Sequence, residues 1–262
     1  VGGGFGSKTF IYAEETACVW AAAKVGRPIK WTGDRSEAFL SDAHGRDHLS
    51  HAELALDKDG KFLGLRVKTV ANLGAYLSTF SASVPTYLYG TLLSGQYDLP
   101  AIYVEVDGVY THTAPVDAYR GAGRPEATYL VERIVETAAR ETGIDPAELR
   151  RRTYIRTFPH QTPVIMNYDA GDYEASLDAA LEAIAYQGLA ARKSQAAPRA
   201  QLRVIRIASV TQPRPLSPSS PLHPSTFSLT HQTKRWYTGG TRVYSSSRAS
   251  TRVSVYVFRS TL

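Results

Sequence analysis

Two glycine-bearing stretches hold the residue types that could do chemistry on an anionic, oxygen-rich ligand. One is Ala118-Tyr119-Arg120-Gly121-Ala122-Gly123-Arg124-Pro125-Glu126. Arg120 and Arg124 flank three small residues, and Pro125 then opens a periodic helix. A helix N-terminus offers backbone N–H groups, and a guanidinium offers a planar fork of donors. The same stretch also reads as a tight turn carrying two surface arginines. The other stretch is Val1-Gly2-Gly3-Gly4-Phe5-Gly6-Ser7-Lys8-Thr9. It is similar to two phosphate motifs and fits neither. In a P-loop, Gly and Lys are adjacent, but Ser7 intervenes here; the dinucleotide fingerprint needs a third glycine where Ser7 stands. What remains is a loop in which backbone can come close to a ligand, or a plain glycine turn before a helix.

Other candidate chemistry is weaker. His44, His48 and His51 have metal-like spacing for a helix, but Gly45 and the alternation from Leu49 argue against a helix there. Asp57-Lys58-Asp59-Gly60 starts like a calcium loop and lacks the glutamate that would complete it, so it reads as a turn. The single cysteine, Cys18, excludes an internal disulfide and a cysteine-rich metal site, and reads as a small core residue. Arg150-Arg151-Arg152 reads as the solvated end of a helix.

The elements that must position these residues follow from periodicity. Ala127, Leu130, Val131, Ile134, Val135 and Ala138 lie on one face of a 3.6-residue repeat. Pro125 suits the first helical position, Glu126 the first turn, and Gly143 the stop. A helix is expected over Glu14 to Val25 and a short strand over Arg27 to Thr32. Leu49 to Asp57 and Lys61 to Asn72 alternate around a turn, which predicts a hairpin. Ala101 to Tyr110 is another strand. Asp145-Pro146-Ala147-Glu148 predicts a capped helix to about Arg152, and Asp172 caps one that buries Leu177, Ala180, Leu181 and Ile184. The fold class is α+β.

The net charge of +6 is an average over two unlike parts. All 24 acidic residues lie at or before Glu182, against 18 Lys and Arg, a balance of −6. From Ala183 onward there are 12 Lys and Arg and no carboxylate, a balance of +12. Residues 1–193 therefore read as a domain, and residues 194–262 as a basic tail rich in Ser, Thr, Pro and Arg. Three readings of the tail compete: a disordered arm, a non-specific anion binder, or a frame-shifted sequence. Basic and aromatic residues are not interleaved as a stacking surface needs, so no nucleic-acid partner is expected. No apolar run approaches 20 residues and no leader is evident, so no membrane span and a cytoplasmic location are expected. The only methionine is Met166, which suggests an internal piece of a longer protein.

A resemblance joins the two glycine stretches. Gly2-Gly3-Gly4-Phe5-Gly6-Ser7-Lys8, Arg27-Pro28-Ile29-Lys30-Trp31 with Asp34-Arg35-Ser36-Glu37, and Ala118 to Glu126 occur in this order. Together they resemble the molybdenum hydroxylases, the xanthine dehydrogenase and aldehyde oxidoreductase family, in its molybdopterin-binding large subunit. Asp145-Pro146 with Leu149 to Arg152, and Gly171-Asp172-Tyr173, are similar to its later segments. The resemblance runs to about residue 195 and is nearest the carbon monoxide dehydrogenase large-chain form with an Ala-Tyr-Arg-Gly-Ala-Gly-Arg loop.

The resemblance implies an oxidoreductase that oxidises a small substrate with water as oxygen donor. It implies a molybdenum–molybdopterin cofactor, in the cytosine dinucleotide form, and partner subunits that carry FAD and 2Fe–2S clusters. Gly3, Gly4, Phe5, Gly6, Tyr119, Arg120, Gly121, Gly123 and Arg124 are the implied cofactor-binding residues, and Arg120 the implied stabiliser of developing oxyanion charge. No protein ligand to the metal is implied. The family's general-base glutamate lies near its C-terminus, and this chain has no acidic residue after Glu182, so it is not present here and the piece is expected to be inactive alone. In the form that oxidises carbon monoxide, the loop holds a cysteine that bridges to copper. Gly121-Ala122-Gly123 has no thiol, so hydroxylation of an aldehyde or N-heterocycle stands beside carbon monoxide oxidation. A non-catalytic basic binding protein is the remaining alternative.

Overall fold

The computed structural model describes residues 3–199, 201–210, 226–235 and 251–258. A four-stranded sheet and one long helix form its centre. Strands β1 (His48–Asp57) and β2 (Phe62–Gly74) make the expected hairpin. Asp57 closes its turn, because one carboxylate oxygen accepts the N–H groups of Asp59 and Lys61, each at 2.9 Å. Strand β3 (Ile102–Tyr110) lies parallel to β2, and a strand at Thr251–Phe258 lies parallel to β1 on the other side.

Helix α3 (Arg124–Thr142), which follows these first strands, crosses the buried face of the sheet. Ala52, Leu54 and Leu56 of β1 and Phe62, Leu65 and Val67 of β2 are 3% exposed or less. Alternation puts Ala52, Leu54 and Leu56 on one side, and Leu65 and Val67 with them, while Phe62 joins that side because the register shifts by one residue opposite Ala55 and Leu56. Ala127, Leu130, Val131, Ile134, Val135 and Ala138 of α3 join the same core, as the 3.6-residue spacing requires. Each large aliphatic side chain buried here contributes about 1.5–3 kcal/mol. Gly143 ends α3 with φ +73°, a left-handed conformation that costs glycine little.

Beyond α3, Asp145 accepts N–H bonds from Ala147 and Glu148 and starts α4 (Pro146–Thr153). Two short strands, β4 (His160–Gln161) and β5 (Asn167–Tyr168), pair before α5 (Tyr173–Ala183), which Asp172 caps at Ala175 N–H. Leu177 and Leu181 of α5 are buried, while Ala180 and Ile184 are half-buried.

The chain then continues across the boundary expected at residue 193. Helix α6 (Leu189–Ala196) spans it, and β6 (Gln201–Val210) pairs antiparallel with β7 (Thr226–Arg235). The strand beside β1, Thr251–Phe258, is then β8. Ile207 of β6 is 4% exposed and belongs to the core. Ser209 bonds Tyr154 Oη at 3.0 Å.

Arg150 departs from the sequence reading. It is fully buried rather than solvated. Its Nε and Nη2 donate to Glu132 Oε2 at 3.2 and 2.9 Å, and Nη2 also donates to the Ile207 carbonyl at 3.0 Å. Tyr97 Oη donates to the other Glu132 oxygen at 2.6 Å. A charged side chain is rarely buried unless it is paired, and here the partner comes from a different helix. Burial pushes the Glu132 carboxyl up, and the Arg150 charge opposes that shift.

The N-terminal elements differ most from expectation. Helix α1 (Ala13–Val25) forms, but none of its residues is buried. Cys18 is half-buried, so it is not a core residue here. Val19 and Trp20 are 73% and 63% exposed. The strand expected over Arg27 to Thr32 does not form among the described residues, where no neighbouring strand pairs with it, and Trp31 is 46% exposed. Periodicity gave the local conformation here but not the surface that covers it. Helix α2 (Arg35–Ser41) follows, capped by Asp34 on Glu37 N–H. No helix among the described residues is long and apolar enough to cross a membrane.

Candidate active site

The two glycine stretches, distant in sequence, meet at the N-terminus of α3. Arg120 N–H donates to the Phe5 carbonyl at 2.9 Å. The Arg120 guanidinium carbon lies 5.2 Å from the Phe5 ring centroid, a cation–π arrangement. Gly6 has φ +86°, and a Cβ there would stand 2.2 Å from the Ala118 carbonyl oxygen. Only glycine lets these two backbones approach so closely.

The arginine loop is strained along its length. Arg120, Gly121, Ala122 and Gly123 have φ of +23°, +116°, +39° and +85°. Positive φ at a residue with a Cβ costs on the order of 1–3 kcal/mol and persists where surroundings over-determine it. Several contacts do so here. Ala122 and Arg124 N–H bond back to the Tyr119 and Gly121 carbonyls, each at 3.2 Å. A Cβ on Gly123 would lie 2.7 Å from the Leu88 carbonyl oxygen, in the turn Val84–Leu88. Asp117, fully buried, accepts Phe80 N–H at 2.9 Å and also the Ala118 N–H.

The opposite wall is His44-Gly45-Arg46. His44 exchanges backbone bonds with Pro115 and Asp117 at 2.8 and 2.7 Å. A Cβ on Gly45 would lie 2.7 Å from Tyr119 Cβ. Arg46 Nη2 donates to the Tyr119 and Arg120 carbonyls at 3.1 and 2.6 Å. Its guanidinium carbon stands 4.6 Å from the Tyr119 ring centroid. Gly45, Arg46 and Asp117 were not singled out from sequence. Nothing in a single chain marks an arginine that reaches across to a distant loop.

The implied residues do not all converge. Phe5, Gly6, Tyr119, Arg120 and Gly121 share one locus, with Gly3 and Gly4 leading into it. Arg124 instead turns inward. Its Nη1 donates to the Gly121 carbonyl at 3.3 Å, and the side chain lines a cavity of about 10 Å³ with Thr128, Tyr168 and Ser209. Its buried Nε has no partner among the described residues. Glu126 is held at the start of α3, and burial raises its carboxyl pKa. The backbone N–H groups of Glu126 and Gly123 and the Arg46 charge pull the other way.

The histidines do not converge on a metal. His48 and His51 are three apart in a strand and so face opposite sides. His44 Nε2 contacts the Phe39 carbonyl at 3.1 Å. His48 packs edge-on against Tyr89, with centroids 5.2 Å apart, and burial lowers its pKa to about 4.

What the locus can do follows from its donors. The N–H groups of Phe5, Gly6 and Gly121 have no hydrogen-bond partner among the described residues, and Arg120 stands beside them. Neighbouring N–H groups in turn conformations form an anion-binding concavity.

Several known proteins are similar to this chain. The molybdopterin cofactor-binding domain model matches residues 1–154. The carbon monoxide dehydrogenase large chain of Hydrogenophaga pseudoflava is 42% identical over 205 residues, 76% of this chain and 25% of that protein. The 6-hydroxypseudooxynicotine dehydrogenase complex subunit gamma of Paenarthrobacter nicotinovorans is 37% identical over 191 residues, 70% of this chain and 24% of that protein. Among solved structures, the Cu,Mo-CO dehydrogenase superposes with a TM-score of 0.72 at 31% identity, over 80% of this chain and 28% of that one. Quinoline 2-oxidoreductase of Pseudomonas putida 86 gives 0.75 at 29% identity, over 80% and 27%. The chain spans about a quarter of the length of the curated relatives it matches. The chain belongs to the molybdopterin cofactor-binding domain family, with relatives that include a carbon monoxide dehydrogenase large chain and a xanthine dehydrogenase molybdenum-binding subunit.

Proposed function

We propose that this chain is part of the cofactor-binding large subunit of a molybdenum hydroxylase that oxidises a small substrate with oxygen from water. One observation carries the reading: the N–H groups of Phe5, Gly6 and Gly121, without hydrogen-bond partners among the described residues, stand with Arg120 where two strained loops are bonded to each other. That set of donors fits a pterin cofactor bearing a pyrophosphate, and the family resemblance, not the donors, points to its cytosine dinucleotide form. The Gly3 to Gly6 and Tyr119 to Gly123 loops would hold it. When bound, the cofactor supplies the two-electron redox centre.

This chain's own residues bind and orient. The Phe5 ring and the Arg120 guanidinium wall one side of the site, and Arg120 offers positive charge to an oxygen that becomes negative. Partner subunits carrying 2Fe–2S clusters and FAD would take up the electrons. On the substrate, the loop core Gly121-Ala122-Gly123 has no thiol, and Cys18 sits on α1. That favours an aldehyde or N-heterocycle over carbon monoxide, which stays the second reading through the similarity to carbon monoxide dehydrogenase.

The test is the intact subunit, purified with its partners. Arg120→Met is expected to lower kcat per bound molybdenum by about 10²–10³, the usual effect of losing one donor to developing oxyanion charge. An unchanged kcat in Arg120→Met would remove this role. Turnover of carbon monoxide, with copper at one equivalent, would select the second reading.

A further inference from the structure

We infer that Arg46 is a positioning residue that sets the direction of the donors in the arginine loop. The inference rests on the cofactor reading of that loop, but its first test does not.

The geometry is that of two successive peptide planes. In a trans peptide, C=O and N–H point in opposite directions. Arg46 Nη2 holds the Tyr119 carbonyl at 3.1 Å and the Arg120 carbonyl at 2.6 Å. Both oxygens are therefore turned toward Arg46. The N–H of the Tyr119–Arg120 peptide must then point away from it, and there the Phe5 carbonyl accepts it at 2.9 Å. The N–H of the Arg120–Gly121 peptide is likewise directed away from Arg46. That group has no hydrogen-bond partner among the described residues, and it is one of the donors assigned above to the cofactor. One side chain thus fixes both the bond between the two loops and the aim of the Gly121 donor.

The same side chain is itself locked. Its guanidinium stacks over the Tyr119 ring, 4.6 Å from the centroid. Its own φ of +63° is a left-handed conformation that L side chains rarely adopt. Gly45, beside it, is packed so closely that a Cβ would meet Tyr119 Cβ at 2.7 Å. A lysine keeps the charge but has no planar group to bridge two carbonyls and stack on the ring at once.

The first test uses the 262-residue chain and hydrogen–deuterium exchange, with no cofactor. In Arg46→Met, the Arg120 amide is expected to exchange at least tenfold faster, while the amides of Leu130 to Ala138 in α3 keep their wild-type rates. Arg46→Lys is expected to fall between the two. Unchanged exchange at Arg120 in both variants would overturn the inference. So would equal acceleration at Arg120 and throughout α3 in both, because Arg46 would then only stabilise the fold. The second test uses the intact subunit. Loss of molybdenum, or a fall in kcat with unchanged KM, in Arg46→Met and partial recovery in Arg46→Lys support positioning toward the cofactor. If exchange changes as expected but molybdenum content, kcat and KM do not, Arg46 still orders the loop, and the cofactor reading of the loop is what fails.

Discussion

Phe5 and Arg120 are joined twice, by an N–H to carbonyl bond of 2.9 Å and by the guanidinium placed over the ring. This pairing converts two ordinary-looking glycine turns into one site. It is possible only because the backbones at Gly6 and Ala118 can touch.

Gly6→Ala tests that contact. The new Cβ would meet the Ala118 carbonyl at 2.2 Å in a residue with φ +86°. Gly143→Ala is the control, because φ is +73° there but nothing lies within 4 Å. The control is expected to cost about 1 kcal/mol, the ordinary strain of a left-handed alanine. Gly6→Ala is expected to disrupt the loop as well, read as faster exchange of the Arg120 amide that the control does not show.

The buried pair of Arg150 and Glu132 gives a stability prediction. Side-chain exposures are 0% and 8%. Removing one member strands the other, so Arg150→Met is expected to lose about 3–5 kcal/mol in urea unfolding. Arg150→Met with Glu132→Leu is expected to lose less than Arg150→Met alone, since the most deeply buried carboxylate is removed with its partner and only the half-buried Glu136, 3.6 Å from Arg150, loses its counter-charge. A double variant as unstable as the single would show that packing, not charge, dominates there.

His48 predicts the pH dependence. Its pKa falls from 6.5 to about 4 on folding because burial disfavours the charged ring. The unfolded chain therefore takes up a proton near pH 6.5 that the native state refuses until about pH 4. Its contribution is complete above 6.5 and is lost as pH falls through that window, by about 3 kcal/mol at most. Unfolding midpoints measured at pH 7 and pH 4.5 should fall less in His48→Gln than in the wild-type chain.

The uncovered face of α1 and α2 predicts tolerance. Val19 and Leu40 are 73% and 81% exposed, so Val19→Lys and Leu40→Lys are each expected to change the stability of this chain by no more than about 0.5 kcal/mol. A loss of 2 kcal/mol in denaturant unfolding would show that the face is covered in this chain.

Most local elements can be read from neighbouring residues alone. The face of α3 from Ala127 to Ala138, its stop at Gly143, the caps at Asp145 and Asp172, and the β1–β2 hairpin were all legible. Each depends on residues a few positions apart. The family was legible too, because three motifs kept their order. The order of motifs also implied that Gly3 to Gly6 and Tyr119 to Gly123 serve one ligand. Tertiary structure decided how they meet: Phe5 against Arg120, Gly6 against Ala118, and Arg124 turned away into a small cavity. It also decided that Arg150 is buried, since its partner Glu132 lies on another helix, and that α1 carries no buried residue. Spacing along a chain encodes which side of an element is apolar. It does not encode which distant backbone carbonyls a guanidinium such as that of Arg46 will reach, because that depends on how the whole chain closes on itself.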